Sequence, residues 1–71
     1  MMIKFTLTET ATEDRPENKH VFILPRSGEE VSDPDAIPAQ NLVDLIAMVS
    51  NLEVELDQFK IPYDVEVETT W

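Results

Sequence analysis

Apolar and polar residues alternate in MIKFTLTE, residues 2 to 9: Ile3, Phe5 and Leu7 share one parity, and Lys4, Thr6 and Thr8 the other. Successive side chains of a strand face opposite ways, so the pattern predicts a half-buried strand. A polar stretch with Pro16 and Asn18 follows and reads as a loop. HVFIL, residues 20 to 24, is an apolar run too short for a helix and ended by Pro25, which predicts a second strand. The chain closes on YDVEVETTW. Here Tyr63, Val65, Val67, Thr69 and Trp71 fall on one parity, and Asp64, Glu66, Glu68 and Thr70 on the other. This predicts a third strand over residues 63 to 70.

A different period governs the middle of the chain. In PAQNLVDLIAMVSNLEVELDQFK, residues 38 to 60, the apolar positions Leu42, Leu45, Val49, Leu52, Leu56 and Phe59 recur at spacings of 3, 4, 3, 4 and 3, and Ile46 widens the stripe. That is the signature of one long amphipathic helix. Pro38 suits its first position, and Pro62 ends it. LEVELD alternates like a strand, so an end near Asn51 is the rival reading; the unbroken stripe argues for continuation. Residues 25 to 37 form an acidic loop that holds Glu29, Glu30, Asp33 and Asp35.

The expected fold is a two-layer α+β domain of order ββαβ. Its three-stranded antiparallel sheet has strand order 2-1-3, and the helix covers one face. In that arrangement Val65 and Val67 lie under the helix. Asp64, Glu66 and Glu68 stand on the open face beside Lys4, Thr6 and Thr8, and Trp71 packs over Ile37, Pro38 and Leu42. Val43, Ala47 and Val54 form an apolar flank roughly 80° to 140° round the helix from Leu42. Residues 1 to 71 are read as one small acidic domain.

Charge adds asymmetry to this picture. Residues 1 to 26 carry four acids and four bases, whereas residues 27 to 71 carry eleven acids and only Lys60, which accounts for the whole net charge of −10. An excess of that size exceeds the magnitude of about 2 to 8 that solubility asks of a small domain, and it adds self-repulsion. It disfavours nucleic acid and anionic membrane and favours basic partners. The absence of cysteine excludes disulfides and thiolate metal sites. No apolar run approaches the roughly 18 to 20 residues of a membrane span, and the first residues lack a signal peptide's apolar core. A cytoplasmic location is expected.

Candidate chemistry is sparse. His20 is the sole histidine, no spacing pairs it with Ser27, Ser32 or Ser50, and it reads as a half-exposed surface residue. A single glycine builds no phosphate-cradling loop. The loop carboxylates lack the calcium-loop pattern, and so small a chain has little room for a walled pocket. No catalytic residue, metal site or cofactor is expected, and the chain reads as a non-enzyme.

The acidic residues are the remaining candidates. Alternate residues of a strand stand roughly 6.6 to 6.8 Å apart, so Asp64, Glu66 and Glu68 make a regular row. Such a row protects a sheet edge from other strands, or it imitates a phosphate backbone for lysines and arginines arranged to hold one. Asp44, Glu55 and the loop acids Glu29, Glu30, Asp33 and Asp35 would extend the field. The expected function is a binding module that inhibits or modulates a partner by blocking a basic, nucleic-acid-binding surface, with no direct contact to nucleic acid or membrane. In size and charge the chain resembles the broad class of acidic inhibitors carried by phages and mobile elements, a resemblance of composition without a motif. The alternative is an assembly adaptor or homodimer subunit that uses Val43, Ala47 and Val54.

Overall fold

The computed structural model describes residues 2–26, 31 and 33–70. Strand β1 spans Met2–Glu9, β2 Asn18–Leu24, β3 Ala36–Pro38 and β4 Tyr63–Thr70, with one helix, α1, at Leu42–Gln58. The sheet order is β3-β2-β1-β4. β1 is antiparallel to both β2 and β4, while β2 and β3 are parallel. The chain is thus α+β with a mixed four-stranded sheet. The expected three-stranded antiparallel sheet survives as β2-β1-β4.

The extra strand corrects the reading of residues 25 to 37 as loop. Ala36, Ile37 and Pro38 align with Val21, Phe22 and Ile23, and the Ala39 N–H extends the ladder to the Ile23 carbonyl at 2.8 Å. Pro38, which lacks an N–H, is tolerated because β3 is an edge strand. Pro38 therefore ends a strand instead of opening the helix, and α1 starts later than expected. Asn41 is its N-cap: the side-chain oxygen accepts from the Asp44 N–H at 2.8 Å, and Asp44 accepts from the Gln40 N–H at 3.0 Å. The pair satisfies one donor that the first turn leaves free, the Asp44 N–H, and fixes the residue before the cap. At the other end α1 runs past Asn51 to Gln58 and closes in a Schellman motif. The Ile61 N–H bonds the Leu56 carbonyl, and the Lys60 N–H bonds the Asp57 carbonyl. Lys60 takes the left-handed position with φ 57°, where glycine is the usual residue.

Apolar residues of β1 and β2 meet the helix on one face. Directly opposite residues of an antiparallel pair share a face, which groups Ile3 with Leu24 and Phe5 with Phe22. Phe22, Ala39, Leu45 and Val49 form the centre of the core, with Ile3, Phe5, Leu24, Met48 and Leu52 packed around it. Leu7 and Leu45 are fully buried. Each such leucine contributes on the order of 1.5–3 kcal/mol.

The helix does not cover the whole sheet. Three residues link β3 to α1, so the helix is held over the β2 side, and a helix about 10–12 Å wide spans only about two strands at about 4.8 Å each. β4 is left outside. Val65 is 38% exposed and Val67 61%, although they share the helix-side face with Leu7 and Phe5. The expectation that these valines lie under the helix is therefore corrected. The placement of Trp71 falls outside the described residues. Among the described residues no helix is long and apolar enough to cross a membrane.

Candidate functional site

β4 is the edge strand opposite β3 in the sheet. Its alternation places Asp64, Glu66 and Glu68 on the face away from α1, opposite Thr8, Thr6 and Lys4 of β1. All three carboxylates are exposed. Glu68 approaches Lys4 at 4.0 Å, the outer limit of an ion pair, with the Glu68 side chain largely in solvent and the Lys4 side chain half-buried. Such a pair contributes about 0–1 kcal/mol. Among the described residues the side chains of Asp64 and Glu66 have no hydrogen-bond or ion-pair partner. The facing positions on β1 are threonines, so nothing there offsets the charge.

The other expected acids do not join this row. Asp33 and Asp35 precede β3, at the opposite edge of the sheet, where Asp33 accepts from the Asp35 N–H at 2.9 Å. Asp44 is engaged in the helix cap. Glu55 borders a cleft at the C-terminal end of the helix. Glu29 and Glu30 lie outside the described residues. The structure thus gathers three of the nine acids on one strand. Val43, Ala47 and Val54 are all exposed, Val43 to 78% and Val54 to 57%.

A second charged site was missed by sequence reasoning. Glu9 has the parity of Ile3, Phe5 and Leu7 and is only 5% exposed. A charged residue on the apolar side of a strand is the signal that could have found it. Arg15 donates to its Oε1 at 3.1 Å, and Asn18 to its Oε2 at 3.1 Å. His20 Nε2 also bonds Oε2. An ionised carboxylate only accepts, so Nε2 carries the hydrogen. Asn18 Nδ2 lies 3.3 Å from the same nitrogen, but two donors make no hydrogen bond with each other. The hydrogen bond from His20 holds the Glu9 carboxyl below its usual range, aided by Asn18 and the Arg15 charge and opposed by burial. Both oxygens are satisfied, and the cluster ties the loop after β1 to β2.

Beside this cluster is a half-open cleft of about 770 Å³. Glu9, Arg15 and His20 form one part of its wall, and Leu52, Leu56 and Phe59 another. The cleft is wide for so small a chain, but it is half-open and not the walled pocket that the sequence reading set aside. Across the sheet, Tyr63 donates to Glu53 of the helix at 3.3 Å, and its phenol is pushed up by burial and by the charges of Asp57 and Glu53.

No protein-family model matches the chain, nor does any curated protein or solved structure.

Proposed function

We propose that the chain is a small acidic binding module that engages a basic surface of another protein, a surface built to hold nucleic acid, and blocks it. The observation that carries this reading is the row on β4: three exposed carboxylates at alternate positions, two of them without a counter-charge among the described residues. Charge in that arrangement is available to a partner's lysines and arginines, and its regular spacing suits side chains placed for successive phosphates. The reading narrows the expected contact surface. Asp64, Glu66 and Glu68 form it, while Asp44 serves the helix and the acids before β3 stand at the far edge. A cytoplasmic nucleic-acid-handling protein is the proposed partner, and no catalysis, cofactor, nucleic acid or membrane enters the scheme. Titration of such a partner at rising salt tests the reading. Affinity should fall with salt and be lost on combined reversal of Asp64, Glu66 and Glu68 to lysine. Affinity indifferent to both would remove the reading.

A second reading rests on the exposed helix flank. Val43 and Val54, with Ala47, leave apolar surface on the helix side away from the sheet. In that reading the chain is an assembly adaptor or one half of a homodimer. Polar substitution of Val43 and Val54 would then abolish complex formation, while charge reversals on β4 would do little.

A further inference from the structure

β4 offers more than charge. It is eight residues long and pairs only with β1 among the described residues, so its outer backbone edge is free to accept another strand. Its two faces differ in chemistry. The open face presents Asp64, Glu66 and Glu68, and the helix-side face presents Val65 and Val67, which α1 leaves uncovered. A strand laid along this edge has the same alternation of faces. Side chains of one parity would stand beside the three carboxylates, and those of the other beside the two valines.

From this geometry we infer that β4 is a strand-addition site for an extended basic segment of the partner, one that alternates lysine or arginine with apolar residues. The inference rests on the acidic-surface reading above and names the form of the partner. Main-chain hydrogen bonds along the edge supply affinity, and the alternating pockets supply the pattern. Cations opposite Asp64, Glu66 and Glu68 gain cross-strand attraction, while apolar side chains cover Val65 and Val67. A second copy of this chain fits the edge poorly. Pairing β4 with its own copy sets carboxylates beside carboxylates, and each chain brings a net charge of −10.

The test uses the full chain and a capped octapeptide alternating lysine and valine, held below its own self-association concentration. Its comparator has the same composition in block order, four lysines followed by four valines. Two further versions of the alternating peptide carry N-methyl groups on every second residue, one in each frame. In a peptide added antiparallel to β4, the direction proposed, one frame places the methyls on the pairing edge and the other on the free edge, so strand addition predicts that one frame loses at least about tenfold in affinity while the other retains it. The alternating peptide should also bind more tightly than the block peptide, and the amides of β4 should gain exchange protection. Equal binding by the two methylated frames, or by the alternating and block peptides, overturns strand addition. If that binding is still abolished by Asp64→Lys/Glu66→Lys/Glu68→Lys, the acidic-surface reading survives; if it is unaffected, both fail. Dimerisation of the chain through β4, seen by sedimentation and by protection of β4 amides without peptide, overturns the proposal in favour of a second copy.

Discussion

Glu9 and the β4 carboxylates show two opposite uses of the same functional group. Glu9 is nearly buried, with both oxygens bonded by Arg15, Asn18 and His20. Asp64, Glu66 and Glu68 are exposed, and the nearest counter-charge is Lys4 at 4.0 Å from Glu68. Burial with full satisfaction makes a carboxylate part of the fold, because removing it breaks the bonds that tie the loop after β1 to β2. Exposure without partners leaves the fold little to lose and places charge where another molecule can meet it. The position of the helix sets the difference. α1 packs over β2 and closes the region of Glu9, while β4 beyond Tyr63, which bonds Glu53 of the helix, is left uncovered.

The largest effect should come from the outer row. Reversal of Asp64, Glu66 and Glu68 to lysine turns three attractions into repulsions and should weaken binding to the basic partner about 100-fold or more at low salt, measured by titration calorimetry. Circular dichroism should show the fold unchanged. The inner carboxylate should behave in the opposite way. Glu9→Ala removes the common acceptor of three donors and should cost about 1–3 kcal/mol in urea unfolding. Partner binding at saturating folded protein should be retained. Loss of binding with intact stability in this variant would break the comparison.

Acidity sharpens the same contrast. Because the Glu9 carboxyl is held below its ordinary value of 4.5, its contribution to stability is present above that value and is lost as pH falls through the folded pKa. The native chain should therefore lose stability on the acid side, and Glu9→Gln should flatten that limb. A smaller change is expected at the alkaline end. The Tyr63 phenol is pushed above its ordinary value of 10.0, chiefly by burial, so its contribution is present below pH 10.0 and is lost as pH rises through the folded pKa. Tyr63→Phe should level the alkaline limb of thermal stability, and an unchanged limb would mean that the phenol lies free of the helix.

Much of the frame was legible in the sequence because it depends on local period. The parity of β1 and β4 placed the carboxylate row on the face away from α1, and the stripe from Leu45 to Leu56 carried the helix past Asn51. Other features depend on neighbours that a local pattern does not contain. The three residues of β3 are too few to alternate, and their pairing depends on β2. Pro38 suits a helix start as well as an edge strand; the Asn41–Asp44 cap decided between them. Exposure of Val65 and Val67 follows from where the short β3–α1 link sets the helix, not from their own alternation. Glu9 was readable in principle, since it is the one charge on the apolar parity of β1. Its partners Arg15, Asn18 and His20 come from a loop and a second strand whose spacing has no period.

The central claim is that the β4 row is surplus to the fold and kept for contact. Urea unfolding of the neutral, near-isosteric variant Asp64→Asn/Glu66→Gln/Glu68→Gln tests it most directly. Like charges along one strand repel, so the variant should unfold at a urea midpoint equal to or above that of the native chain. A midpoint clearly below the native one would make the row part of what holds the protein together, and would contradict the account.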